Sequence, residues 1–361
     1  MNDNLKQLRD AGQSLWLDNI TRRILDDGTL QGWIGEWGLT GLTSNPTIFD
    51  EAIGGSDSYD AGIRDKLASG LRDEALFIEL ALEDLRRAAQ LFAPAHRASG
   101  GLDGWVSMEV SPLLASDTAG SIAAATRIHE QAACANLFVK IPGTPEGVPA
   151  IEESIYNGVP INVTLLFSTG QYRAAAEAYL RGIERRIADG RSPVVASVAS
   201  LFVSRWDKAI AKTAPDELRN GLGIAVGKQA YGAYRELLAS PRWQRLQTAG
   251  ALPQKLLWAS TSTKDPAAPD TLYAAALVAP DTIDTMPEKT LRAFADHGRV
   301  DGVLAEDGGD GERLLQRYTD AGIDLQSLAT QLQREGAASF VKSWQQLLQR
   351  LRDKAKALGG D

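Results

Sequence analysis

The sequence predicts a (β/α)8 TIM barrel with additional N- and C-terminal helices, and three observations lead there. Short apolar runs bounded by turn residues alternate about eight times with amphipathic helical patterns over 361 residues, the order of a parallel sheet wrapped by helices. A chain of this length could hold two domains, but α/β barrels often use it as one. The rival architecture, an open doubly wound sheet, loses ground because neither G-x-G-x-x-G nor a Walker A pattern is present. With no linker, repeat or low-complexity stretch, residues 1–361 read as one domain, with about 311–357 as a helical C-terminal extension packed on the barrel.

Residues 4–12 have a helical pattern, and Ser14-Leu-Trp-Leu-Asp18 reads as the first strand. An amphipathic stretch over about 19–36 precedes a second strand, Gly38 to Ser44, which runs into the turn signal Asn45-Pro46. Long helical patterns fill 58–97, and Trp105 to Val110 is the third strand. A helix over 121–136 leads to the fourth, Leu137-Phe-Val-Lys-Ile-Pro-Gly143. A helix near 145–156, a strand over 160–166 and a helix over 169–189, capped by Ser168, follow. Pro193 to Ser200, Lys255 to Ser260 and a weaker Thr282 to Met286 complete the strands. The tail has an apolar stripe of Leu332, Phe340, Trp344, Leu347, Leu348 and Leu351. The acidic, glycine-rich stretch 299–312 lacks the spaced ligands of an EF-hand and reads as a flexible connection.

Lys140 interrupts what is otherwise a buried strand. Burying an ammonium is costly, and losing its proton relieves the cost. A neutral amine attacks carbonyls, so Lys140 is a candidate Schiff-base lysine. The alternative is a strand-end lysine whose head reaches solvent. Strand side chains alternate faces. Trp16 goes with Asp18, Ser107 with Glu109, Phe138 with Lys140 and Asn162 with Thr164. Polar residues thus fall near the C-terminal ends of several strands, where a barrel builds its catalytic mouth. Asp18 or Glu109 alone would be read as a capping group. Together with Lys140 and Thr164 they suit carbonyl chemistry, which needs one base for a hydroxyl proton and one acid/base for carbinolamine steps. Two carboxylates serve both needs if their surroundings separate their pKa values.

Composition narrows the classes. A net charge of −8 without a basic run excludes a general nucleic-acid binder. No apolar run approaches membrane-spanning length, and the N-terminus lacks a signal-peptide core. One cysteine, Cys134, fits a reducing cytoplasm, and one cysteine with three scattered histidines does not supply the usual zinc ligand sets, so no metal is expected. The expectation is a soluble cytoplasmic protein. Tryptophans on exposed helical surfaces could pair copies of the chain into a homo-oligomer.

Six stretches carry a resemblance to the transaldolases. They are Leu-Thr-Ser-Asn-Pro-Thr-Ile-Phe (42–49), Ser-Met-Glu-Val-Ser (107–111), Phe-Val-Lys-Ile-Pro-Gly-Thr (138–144), Ile-Asn-Val-Thr-Leu-Leu-Phe-Ser (161–168), Ser-Leu-Phe-Val-Ser-Arg (200–205) and Trp-Ala-Ser-Thr-Ser-Thr-Lys (258–264). Their order and spacing cover nearly the whole chain. The resemblance implies that Lys140 is the Schiff-base lysine, Glu109 an acid/base working through a water, and Thr164 the residue holding that water. It implies that Asp18 moves the proton during carbon–carbon cleavage. Asn45 and Ser200 would bind the dihydroxyacetone unit, Phe202 would shape the pocket, and Arg205 and Ser260 would bind phosphate. The implied reaction moves a dihydroxyacetone unit from sedoheptulose 7-phosphate to glyceraldehyde 3-phosphate, giving erythrose 4-phosphate and fructose 6-phosphate. It belongs to the non-oxidative pentose phosphate pathway and uses sugar-phosphate substrates and no cofactor.

One position departs from the pattern. Many transaldolases have a second phosphate-binding arginine where Ser262 stands, and Lys264 is the nearest cation. Lysine binds phosphate as a point charge without the bidentate fork, so Lys264 is expected to take part of that role; otherwise it is a surface lysine, as Arg205 would be a helix-surface arginine. A fructose 6-phosphate aldolase resembles the lysine strand too, but it is shorter and typically has glutamine at the position of Glu109 and tyrosine at that of Phe202. A silent sugar-phosphate binding barrel would be expected to lack Lys140, Glu109 or Asp18.

Overall fold

The computed structural model describes residues 2–359 and contains eight parallel strands. They are β1 (Ser14–Asp18), β2 (Gly41–Thr43), β3 (Val106–Glu109), β4 (Leu137–Pro142), β5 (Ile161–Leu166), β6 (Ser197–Phe202), β7 (Gln254–Ala259) and β8 (Thr282–Met286). The sheet runs β2-β1-β8-β7-β6-β5-β4-β3. A parallel bridge between Gly41 and Trp105 joins its two ends, with Leu42 N–H donating to Trp105 O at 2.9 Å. Helices alternate with the strands around a closed barrel, as the alternation of patterns predicts.

Gly41 permits the closure. A Cβ there would stand 2.6 Å from the Trp16 ring and 2.7 Å from Trp105 O, so any larger residue would push these strands apart. Trp16, Phe138 and Trp105 stack inside the barrel, with ring centroids 6.3 and 4.0 Å apart. Ser107, Asn162 and Ser200 are also interior. Asn162 donates to Ser107 Oγ at 3.2 Å and accepts from Ser200 Oγ at 2.7 Å, so this buried layer is hydrogen-bonded.

Several boundaries differ from the sequence reading. The sixth strand is Ser197–Phe202 rather than 193–200. Pro193 has no N–H for a ladder, and its carbonyl instead accepts from Val195 N–H in a tight turn. The second strand shortens to Gly41–Thr43, because Gly38 ends the preceding helix in the left-handed region at φ 72°. Asn45-Pro46 starts a helix, Pro46–Gly54, rather than only a turn. Asn45 is extended, caps Ile48 N–H, and is followed by proline at the first helical position, where no amide is needed. Helices Ser204–Ile210, Leu222–Ala239, Pro241–Thr248, Leu272–Ala276 and Glu288–His297 were not predicted. Ser168 does cap the helix Thr169–Ala188, in a reciprocal box with Gln171.

Two expectations are corrected. The stretch before Gly311 is pinned rather than flexible. Lys228 pairs with Asp310 at 2.7 Å and Arg235 with Glu306 at 2.7 Å, while Gly232 and Gly308 bring the two backbones together. The tryptophans are not exposed either: seven of the eight are buried and Trp37 is half-buried, stacked on Trp33. The apolar drive for ring burial exceeds what a surface pairing offered in sequence.

The helix Leu325–Ala357 crosses from the cleft to the N-terminal half of the chain. Its C-terminal part packs on Pro46–Gly54 and on the long helix Asp73–Ala98. Trp344 meets Phe77 edge-on at 5.1 Å, and Arg350 pairs with Asp50 at 2.5 Å.

Candidate active site

The C-terminal ends of the strands open into a cleft of about 140 Å³. Lys140 reaches it from β4, Asp18 from β1, Thr164 from β5, and Ser200 and Phe202 from β6. Asn45, Arg205, Ser260 and Lys264 come from the loops and helices that follow the strands. Glu109, at the end of β3, lies behind the cleft in a small recess that Lys140 and Thr164 also line. All ten residues picked out in the sequence therefore meet at one mouth.

β3 and β4 place Glu109 directly beside Lys140 in register, so both side chains take the same face. Lys140 Nζ stands 2.6 Å from Glu109 Oε1, and both residues are nearly closed to solvent at 6% and 7% exposure. The ammonium also donates to Ser44 O at 2.9 Å, a backbone carbonyl just after β2. Burial pushes the Glu109 carboxyl above its usual range, opposed mainly by Lys140. A carboxyl whose proton affinity is raised in this way, in direct contact with Nζ, is placed to act as a general base and acid there.

Asp18 is also pushed up by burial, with Lys140, the Thr43 hydroxyl and Lys264 acting in the opposite direction. Thr43 donates to Asp18 Oδ1 at 2.7 Å and is itself 2.7 Å from the Thr285 hydroxyl. The two carboxyls therefore differ in partner: Glu109 has an ammonium, Asp18 a hydroxyl. Thr164 Oγ1 is buried and bonded to no protein group. Buried hydroxyls seldom stay unpaired, so this one suits a bound water or substrate oxygen.

At the rim the charge is positive. Arg205 lies over the Phe202 ring at 5.0 Å and near Phe340 at 5.9 Å, and makes no ion pair among the described residues. Burial lowers its pKa, with Glu109 and Glu335 working against the shift. Lys264 is exposed, hydrogen-bonds Ser262, and has its pKa lowered by partial burial and by the charges of Lys208 and Arg205. Ser260 is held at φ 57°, a conformation that non-glycine residues rarely adopt. Its hydroxyl is 3.0 Å from that of Ser204. Two cations with no ion-pair partner among the described residues thus line the cleft above the buried lysine. Among the described residues, no three His, Cys, Asp or Glu side chains gather as metal ligands would.

Sequence reasoning missed Thr43, Thr285 and Phe340 at this mouth. Thr43 shares strand parity with Asn45, which was a usable signal. Phe340 belonged to the tail's apolar stripe, and nothing in a stripe tells which member reaches a distant cleft.

The geometry defines a class, a parallel (β/α)8 barrel with a buried lysine–carboxylate pair beneath a cleft rimmed by Arg205 and Lys264. Residues 15–351 match the family model described as transaldolase/fructose-6-phosphate aldolase. The chain is 42% identical over 360 residues to a transaldolase of Thermobifida fusca, covering 97% of this chain and 98% of the relative. It is 43% identical over 359 residues to a transaldolase of Saccharopolyspora erythraea, and 41% over 362 to one of Parafrankia, each covering 98% of both chains. The chain belongs to the transaldolase/fructose-6-phosphate aldolase family.

Proposed function

We propose that this chain is a transaldolase, a transferase that moves a dihydroxyacetone unit between sugar phosphates through a Schiff base on Lys140. The observation that carries this reading is the buried Lys140–Glu109 pair, 2.6 Å apart, at the base of a cleft rimmed by Arg205 and Lys264. Among the described residues no helix is long and apolar enough to cross a membrane, and the cytoplasm is the proposed setting. The donor is sedoheptulose 7-phosphate or, in reverse, fructose 6-phosphate.

Glu109 takes the Lys140 proton, and the free amine attacks the ketose carbonyl carbon. Glu109, through a water on Thr164, returns a proton to the carbinolamine hydroxyl, which leaves as water and forms the iminium. Asp18 removes the proton of the hydroxyl two carbons beyond the iminium carbon. The bond between that hydroxyl-bearing carbon and the carbon next to the iminium breaks, its electrons forming the enamine double bond, while the hydroxyl oxygen becomes the aldehyde oxygen of the departing aldose phosphate. An acceptor aldehyde then bonds to the enamine carbon as Asp18 returns its proton. Hydrolysis releases the new ketose. Asn45 and Ser200 hold the three-carbon unit, Phe202 shapes its pocket, and Arg205, Ser260 and Lys264 hold the phosphate.

Two substitutions test the assignments. Asp18→Asn is expected to lower turnover by about 10²- to 10⁴-fold, the usual worth of a positioned base, while borohydride still traps substrate on the enzyme. Loss of trapping would move Asp18 to an earlier step. Arg205→Ala is expected to raise the KM for fructose 6-phosphate about 10- to 100-fold, and Lys264→Ala by less, with kcat changed little. Steady-state kinetics decide this, and an unchanged KM in both would place the phosphate elsewhere.

Acceptor dependence separates this reading from an aldolase. Glyceraldehyde 3-phosphate should be released from fructose 6-phosphate steadily only when erythrose 4-phosphate is present. Sustained release without it would make the chain an aldolase that passes the three-carbon unit to water.

A further inference from the structure

We infer that Gln333 is a positioning residue that fixes the ends of β4 and β5 so that Thr164 stands correctly for proton transfer at Lys140; this rests on the Schiff-base reading above. Gln333 lies in the helix Leu325–Ala357, far in sequence from the strands, and is buried. Its Nε2 donates at 2.9 Å to Gly143 O and at 3.0 Å to Leu165 O. An amide nitrogen has two hydrogens, so both are committed. Gly143 directly follows β4, three residues beyond Lys140, and Leu165 directly follows Thr164.

The backbone at Leu165 needs this support. Leu165 has φ 59°, the left-handed region, within a strand. The β5–β6 register shifts between Val163 and Leu166 at the same place. Such an irregular residue persists only where its surroundings hold it, and irregular strand segments serve to re-aim side chains. Here the re-aimed neighbour is Thr164, whose hydroxyl is buried without a protein partner beside Glu109 and Lys140. The Thr164 carbonyl accepts from Gly143 N–H at 2.7 Å, so the two strand ends that Gln333 bridges are also bonded to each other.

The helix is built to come close at this point. Gly336, one turn on, has no side chain, and a Cβ there would stand 2.9 Å from Leu165 Cδ2 and 3.2 Å from an Arg205 guanidinium nitrogen. Phe340, a further turn on, lines the cleft. Residues 333, 336 and 340 share one helix face. The same face therefore presses on the bend at Leu165 and on the phosphate-binding arginine. Gln333 lines neither the cleft nor the recess behind it and makes no hydrogen bond to Lys140, so its effect passes through Thr164 and falls on the proton-transfer steps rather than on substrate binding.

Gln333→Leu keeps the shape and removes both donors. The expected result is a kcat about 10- to 100-fold lower, as for a small misplacement of reacting groups. KM for fructose 6-phosphate should stay within about threefold, with the rate of borohydride trapping on Lys140 falling in step with kcat. In Gln333→Glu the introduced carboxyl can donate only when protonated, so its turnover relative to wild type should recover as pH falls. A kcat within about twofold of wild type, or a raised KM at unchanged kcat, would overturn the role. Where Gln333→Leu shows no cooperative melt, the pH course of Gln333→Glu decides: recovery supports the role and a flat ratio overturns it. A wild-type enzyme that neither transfers nor traps overturns the Schiff-base reading and this role with it. An active wild type beside an unaffected Gln333→Leu overturns this role alone.

Discussion

Lys140→Met is expected to lower transfer from fructose 6-phosphate to erythrose 4-phosphate by on the order of 10⁴-fold or more, the scale seen when a covalent nucleophile is removed. Methionine keeps an unbranched, apolar chain out to the ε-carbon in the same buried slot, with sulfur in place of the δ-methylene, and carries no amine. Lys264 is the other lysine lining the cleft, but it sits exposed at the rim beside Ser262 rather than at the base. The variant should still fold. Removal of the ammonium leaves Glu109 in a site where burial already favours its neutral form, so no buried charge has to stand alone. Steady-state rates with a thermal melt as the folding control check this. Retention of more than about one part in a hundred of wild-type turnover by a folded variant would take the nucleophile away from Lys140.

Asp284→Asn should make the protein more stable at neutral and higher pH, by as much as about 4 kcal/mol. Asp284 is fully buried on β8, on the face opposite Thr285, in register with Leu15 and Trp258. Neither carboxyl oxygen has a hydrogen-bond partner. The Thr261 hydroxyl, which would favour the charged form, donates instead to Thr285 O at 3.3 Å. Burial raises the carboxyl from 3.8 to about 7. Between those values the folded chain holds a proton that the unfolded chain has released, so stability falls as pH rises through this window and levels off above it. Asparagine does not titrate. Melts at pH 5 and pH 8 should therefore show a smaller difference in the variant, with its gain largest at pH 8. An equal pH dependence in both proteins would mean that Asp284 is not the source.

How far the chain could be read in advance varied with the distance over which each feature is determined. β1 and β4 are legible because their apolar runs are short and sharply bounded, whereas β8 (Thr-Ile-Asp-Thr-Met) has a weaker pattern although its bounds agree. The inward residues followed from alternation. Strand β6 was misplaced because apolar, β-branched residues begin at Val194, before the ladder does, and only hydrogen bonding to β5 and β7 sets where it starts. The helix after Asn45 was hidden because a proline marks both a turn and a first helical residue.

The site shows the same division. Lys140, Glu109, Asp18 and Thr164 were visible as polar interruptions at strand ends. Yet a lysine in an apolar strand is not sufficient evidence by itself. Lys255, the second residue of β7, has its pKa lowered by burial and donates to Ser14 Oγ at 3.0 Å. It lies at the opposite end of the strands from the cleft. The Ser44 carbonyl that receives the Lys140 ammonium, and Gln333 and Phe340 from the last long helix, depend on contacts across some 100 to 200 residues. No local pattern encodes such contacts. The rim cation was readable as a substitution of serine for arginine at 262, but only the fold shows Lys264 and Ser262 facing the cleft together with Arg205.

Every step of the proposed transfer depends on a covalent bond between Lys140 and substrate. Borohydride reduction of the enzyme with fructose 6-phosphate, followed by mass analysis of its peptides, tests this directly. The expected result is one adduct, a reduced three-carbon unit without phosphate, on the peptide containing Lys140. An adduct on Lys264 or Lys255 instead, or none while turnover continues, would take the covalent role away from Lys140.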